Sequence, residues 1–178
     1  TGDIEGTPCT CMRRRLMDRL YDQSNVRDVI KLENFDTFDL RLFDTEVVPA
    51  EGISPKENAQ RNLKKAMEFA EHPEGENLLL YGGAGRGKTF LCNCIAKEVL
   101  EHGKTVLYLT AGQLFKQLED MRFRNKEEEE PFDWDSEILD ADLLIIDDLG
   151  TEFATMFTAS ELFRIVNDRK LRKRPVVI

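Results

Sequence analysis

No apolar run in this 178-residue chain approaches the roughly 18 residues that a membrane span needs. The first residues, TGDIEGTPCT, carry no charged segment followed by an apolar one, which excludes a secretory signal there. Both absences place the expected site of action in the cytoplasm, with no membrane partner. Positive charge is also in deficit. The chain has 25 Lys and Arg against 34 Asp and Glu, a net charge of −9, which excludes a protein that coats nucleic acid over its whole surface. Cysteine is scarce: four residues, in the pairs Cys9/Cys11 and Cys92/Cys94, do not make a disulfide scaffold. No internal repeat is visible. What remains, 41% hydrophobic and 33% charged, is the composition of a globular domain long enough for one sizeable core.

The charge is unevenly spread. Glu127 to Glu130 form an acidic run inside a polar stretch, 122 to 137, that reads as a surface connection. Arg164 to Arg174 hold six basic residues against one acid, Asp168. That segment is the best local candidate for touching single-stranded DNA, beside the plainer reading of a solvated helix end.

Along the chain, residues 1 to 11 read as loop, and Met12, Leu16 and Leu20 have helical spacing. Phe35, Phe38, Leu40 and Phe43 look like anchors onto a larger body. Ser54, Pro55 and Glu57 announce a helix by a capping box and a first-turn proline, with Ala59, Leu63, Ala66, Met67 and Ala70 as its buried stripe. Beyond it, apolar strands alternate with helices. NLLLY (77–81), TVLYL (105–109), DLLIID (142–147) and PVVI (175–178) are the strands. Helices are expected from about Gly87 to Glu101, over 111–121, and over 158–171. The last would be capped by Thr158 with Glu161, and would face Ala159, Leu162, Phe163 and Val166 inward. Strands apolar throughout and separated by helices predict an α/β fold, a parallel sheet covered on both faces. Cys92 and Cys94 fall within a helix, where i and i+2 point apart, and read as small buried residues.

Between the first strand and its helix lies GGAGRGKT, residues 82 to 89. It fits G-x-x-x-x-G-K-[ST] through Gly82, Gly87, Lys88 and Thr89. Glycines let successive amides point into a nest for phosphate oxygens, and the following helix adds its positive end. Gly83, Ala84, Gly85, Arg86, Gly87, Lys88, Thr89 and Phe90 are thus the candidate nucleotide-binding residues. Lys88 would reach the β- and γ-phosphates, and the Thr89 hydroxyl would hold Mg²⁺. This loop explains LLIIDDLGTE (143–152), four aliphatic residues running into two adjacent aspartates. Asp147 would be the second magnesium ligand, and Asp148 the catalytic residue that orients or deprotonates the attacking water. Glu152 fits either the site or the turn. The implied cofactors are ATP and Mg²⁺.

With both motifs placed, the chain resembles the AAA+ ATPases of the bacterial helicase-loader type (DnaC/DnaI-like), kin of the IstB transposition helper. The resembling stretches are LLLYGGAGRGKTFLCNCIAKEVL, TVLYLTAGQLF, DADLLIIDDLGTE and LFRIVNDRKLRKRPVVI, with LYDQSNV and ENFDTFDL upstream. The resemblance implies a three-layer αβα P-loop fold with sheet order 5-1-4-3-2. It implies ATP bound between subunits, self-association into a ring or spiral, and a partner, the replicative hexameric helicase, delivered onto single-stranded DNA. Phe35 and Phe38 would lie near the base or serve as core anchors. Asn167 and Arg169 match a recurrent N-x-R, with a role near the γ-phosphate or a neighbouring subunit, or a place on a solvated helix face.

Residues 1–52 resemble the remnant of a zinc-type module plus linker, and 53–178 an AAA+ core. Cys9 and Cys11 correspond to the second half of a four-cysteine site, so no zinc is expected in this chain. The family's arginine finger, fifth strand and lid would fall beyond Ile178, so hydrolysis by this chain is expected to be weak or absent. Two other readings stand beside loading: an IstB-like transposition helper, and a P-loop kinase for a small molecule.

Overall fold

The computed structural model describes residue 29 and residues 31–50, 52–73, 75–123, 134–150 and 155–178. The expectations for Cys9, Cys11, the helix at 12–23, the acidic run and Glu152 lie outside the described residues.

Helix α1, Pro55–Glu71, begins as its sequence dictates. The Ser54 hydroxyl accepts from the Glu57 N–H at 3.2 Å, and the Glu57 carboxylate accepts from the Ser54 N–H at 2.9 Å. Its buried face is Ala59, Ala66 and Ala70, with Leu63 partly covered. Met67 is instead 43% exposed, because it lies one step off the 59-63-66-70 stripe. Helix α2, Lys88–Glu101, is buried over most of its surface, since it lies between α1 and the sheet.

Strand β1, Val106–Thr110, pairs in parallel with β2, Leu143–Asp147, which pairs in parallel with β3, Val176–Val177. Between them run α3, Ala111–Phe123, then α4, Trp134–Asp140, and α5, Met156–Leu171. Alternate strand residues feed two cores. Val106, Tyr108, Leu143, Ile145 and Val177 pack with α1 and α2, whereas Leu107, Leu109, Leu144, Ile146 and Val176 pack with α3, α4 and α5. The result is a three-layer αβα sandwich. Leu143 to Ile146 are wholly buried, and each such side chain stabilises the fold by about 1.5–3 kcal/mol.

Three expectations are corrected. NLLLY is not a fully buried strand. Residues 78 to 80 bond to the β3 segment in parallel fashion, with Leu78 N–H to Val176 O at 2.9 Å and Leu80 N–H to Ile178 O at 2.7 Å. They form the edge, so Leu79 and Tyr81 are 63% and 87% exposed. The described sheet thus runs 78–80, β3, β2, β1, the last four places of the order 5-1-4-3-2.

The second correction concerns the polar stretch 122–137, whose end is helical: α4 buries Glu137, Ile138 and Leu139 against the sheet. The third concerns α5, which starts a turn earlier than expected. Thr155 caps it, and Thr158 answers: each hydroxyl accepts the other residue's N–H, at 3.1 and 2.9 Å. Its inward stripe is Thr158, Leu162, Ile165 and Arg169, while Phe163 is 72% exposed. Among the described residues no helix is long and apolar enough to cross a membrane.

Candidate nucleotide site

The loop 82–87 joins the edge segment to α2 at the carboxyl ends of the strands. Gly85 and Gly87 have φ of 71° and 83°, left-handed values that turn consecutive amides toward one side. Gly87 is also the N-cap of α2 and supplies no side-chain cap, in contrast to Ser54 at α1 and Thr155 at α5. The first amides of α2 therefore point out of the helix without a capping oxygen, the arrangement that receives an anion.

Above the loop opens a cavity of about 620 Å³. Ala84, Gly85, Arg86, Gly87, Lys88, Thr89, Phe90, Asp147 and Asp148 all line it, so the structure gathers nearly every predicted site residue in one place. Gly83 is the exception. It does not line the cavity, but its carbonyl and that of Gly82 each accept from the Lys88 ammonium at 3.0 Å. Phe38 and Phe35 do not line it either. Phe38 stacks on Phe43 with centroids 5.7 Å apart and meets Phe90 edge-on at 5.5 Å, as a core anchor beneath the loop.

Asp147 ends β2 and is buried, yet every oxygen has a donor. Its Oδ1 accepts from the Thr89 hydroxyl at 3.3 Å and from the Asp148 N–H at 2.9 Å; Oδ2 accepts from the Tyr108 hydroxyl at 2.7 Å. Asp148 is exposed at the cavity, with a left-handed φ of 57°. That backbone region is uncommon for a residue other than glycine, but Asp and Asn tolerate it. It turns the chain so that the second carboxylate leaves the strand and faces the cavity instead of the core.

The donor set suits a small hard cation: a hydroxyl and a carboxylate oxygen, 3.3 Å apart, beside a nest of amides. Cys92 lies behind the loop. Burial first, then the charges of Asp147 and Asp148, push its thiol well above the ordinary range, so it is an inert filler. Burial likewise raises Cys94, to about 12. The same order of causes, burial and then nearby acidic groups including Asp147, keeps the Tyr108 phenol protonated and a donor.

One residue of consequence was not foreseen: Tyr108, which could have been noticed as the single aromatic in otherwise aliphatic strands. Arg169 was singled out, but its burial was not, because its charge argues for a surface. It is instead fully buried, donating to the carbonyls of Ile138 at 2.6 Å, Ala141 at 2.9 Å and Pro175 at 2.8 Å. This overturns the expectations for Arg169, which does not lie at a phosphate, a neighbouring subunit or a solvated face. Burial, then the charge of Arg174, lowers its pKa to about 9, which leaves it charged at neutral pH.

The basic segment is largely neutralised as well. Arg164 pairs with Glu161, Asp135 and Asp168, Arg172 with Asp140, and Arg174 with Asp142. These pairs, with the burial of Arg169, engage the four arginines of the segment within the molecule and leave Lys170 and Lys173, both exposed, as its remaining basic side chains.

Residues 53–178 match the family described as IstB-like ATP binding protein. The chain is 26% identical over 167 residues to the replicative helicase loader DnaC of Escherichia coli (strain K12), covering 92% of this chain and 61% of that one. It thus spans about three fifths of that relative's length. Domain III of the Thermotoga maritima replication initiation protein DnaA superposes with a TM-score of 0.62 at 26% identity, over 83% of this chain and 55% of that one. A DnaC helicase loader crystal structure gives 0.60 at 19%, over 83% of this chain and 76% of that one, a likeness of fold.

Proposed function

The chain belongs to the IstB-like ATP binding proteins, and on that premise we propose that it is the ATPase part of a loader. It would deliver a replicative hexameric DNA helicase onto single-stranded DNA in the cytoplasm, assembling into a ring or spiral around bound ATP. The Thr89–Asp147 contact at 3.3 Å carries the nucleotide half of this reading, since it brings the two motifs of a triphosphate site together. The partner half rests on the relation to a protein named as a helicase loader over 92% of this chain. Residues 53–178 would form the AAA+ core, and 1–52 a linker and the remnant of a zinc-type module.

Each residue has a role that its position supports. The amides of residues 84 to 89 would cup the phosphates. Lys88, already presented at the loop, would exchange its contacts with Gly82 and Gly83 for phosphate oxygens. Thr89 and Asp147 would hold Mg²⁺. When bound, that ion neutralises phosphate charge and fixes the phosphate orientation. Asp148 would accept the proton of the attacking water, because it stands exposed at the cavity, whereas Asp147 is buried and holds the Thr89 and Tyr108 hydroxyls.

The test is retention on immobilised partner with ATP and magnesium. Helicase should be retained by the parent chain and lost in Lys88→Ala, which removes the phosphate-binding ammonium. Retention of a transposase, with helicase ignored, would replace loading by the transposition-helper reading.

A further inference from the structure

Tyr108 is the only aromatic residue in β1 and β2. Its register partner is Ile145, so the next β2 residue on the same face of the sheet is Asp147. Diagonal neighbours of this kind are within reach of a long aromatic side chain. The hydroxyl spans the gap and donates to Asp147 Oδ2 at 2.7 Å. The ring belongs to the core shared by α2 and the sheet, so the hydroxyl cannot swing away without disturbing Ile145 and Cys92. Asp147 is thereby held from three directions: by β1 through Tyr108, by α2 through Thr89, and by its own turn through the Asp148 N–H.

We propose that Tyr108 is a positioning residue for the magnesium site, locking the Asp147 carboxylate with Oδ1 turned to the Thr89 hydroxyl. The proposal rests on the nucleotide reading above. Rotation about the last bond of an aspartate is soft. A carboxylate at a strand end held by a neutral hydroxyl and one amide would sample orientations that point away from Thr89. A short hydrogen bond to the charged oxygen, fixed to a buried ring, removes that freedom before any ligand arrives. The plainer account is that Asp147 merely satisfies a buried phenol, which must find some acceptor. The two differ in what removing the hydroxyl does to metal binding.

Tyr108→Phe keeps the ring and deletes only the hydroxyl. Affinity for a fluorescent ATP analogue would be titrated at increasing magnesium and again in EDTA, with thermal unfolding followed in parallel. The expected result is parental affinity in EDTA and about tenfold more magnesium for half-maximal enhancement, the scale of one hydrogen bond to a charged group. In an Asp147→Asn background the same change should have no further effect, because the carboxylate being positioned is gone. An unchanged magnesium requirement, or equal weakening with and without the metal, would overturn the role of Tyr108 alone. A magnesium shift that persists without Asp147 would overturn it too. A parent chain that fails to bind the analogue would overturn the nucleotide reading and this proposal with it.

Discussion

Asp148 shows how one backbone angle assigns chemistry. Two adjacent carboxylates at a strand end are equivalent in sequence, but φ of 57° at the second separates them. Asp147 stays in the core with its oxygens bonded to Thr89, Tyr108 and the next amide, and Asp148 stands at the cavity. Left-handed backbone at a residue other than glycine costs on the order of 1 kcal/mol, and such strain gathers at functional sites. Asn tolerates the same angle, so Asp148→Asn should keep the fold and the nucleotide affinity. In a form of the protein that hydrolyses ATP, phosphate release should then fall about 10²- to 10⁴-fold, the usual contribution of a general base. A rate within twofold of the parent would remove Asp148 from that role. The motif had already given the two aspartates separate roles, and the dihedral angle supplies the geometry that keeps them apart.

At the scale of elements, the strand ends opposite the site are held by polar contacts whose strength depends on pH. Asp142 precedes β2. Its Oδ2 accepts from the Thr105 N–H and hydroxyl, each at 2.8 Å, and its Oδ1 from Arg174. Burial would raise the carboxyl's pKa, but the Thr105 donors and then Arg174 outweigh it, and the pKa falls below the usual carboxylate value. In acid the unfolded chain therefore binds the proton first. The stabilisation is complete above the ordinary carboxylate pKa and is lost as pH falls through the lowered one. The gap in thermal midpoint between parent and Asp142→Asn should hold from neutral pH to about pH 5 and close below about pH 4. Because the Asp142 side chain is 31% and Arg174 37% exposed, the stability difference behind that gap should not exceed about 1 kcal/mol. A gap that widens in acid would refute the assignment. The helices were legible to different degrees. Ser54, Pro55 and Glu57 form a local signal and place α1 correctly. Thr158 looked like a cap because Glu161 follows it, but Thr155 caps the helix one turn earlier by accepting the Thr158 N–H.

At the scale of the whole molecule, Arg169 joins three parts of one layer. Standing on α5, it bonds the end of α4 at Ile138, the turn at Ala141 and the approach to β3 at Pro175. Three carbonyls drawn from separate segments then share one planar donor, which suits guanidinium and not a point charge. Arg169→Met should leave those carbonyls buried without a donor and cost about 3 kcal/mol in urea unfolding, with Arg169→Lys recovering only part. A loss under about 1 kcal/mol would mean that water or a backbone shift replaces the arginine. The same placement explains why most of the basic segment is engaged within the molecule. Arg164, Arg172 and Arg174 sit on one side of a helix–sheet layer whose acids, Asp135, Asp140 and Asp142, come from about 30 residues earlier.

Local pattern, in the end, determined what could be read locally. The P-loop spacing, the aliphatic strand running into two aspartates, the capping box of α1 and the alternation of strand and helix each depend on neighbours within a few residues, and each survives folding unchanged. Tertiary structure decided everything that depends on which distant group arrives. It gave Asp147 its phenol partner from the adjoining strand and buried Arg169. A residue's type sets what it can bond to, but its environment is set by chain segments too far away in sequence for any periodicity to register.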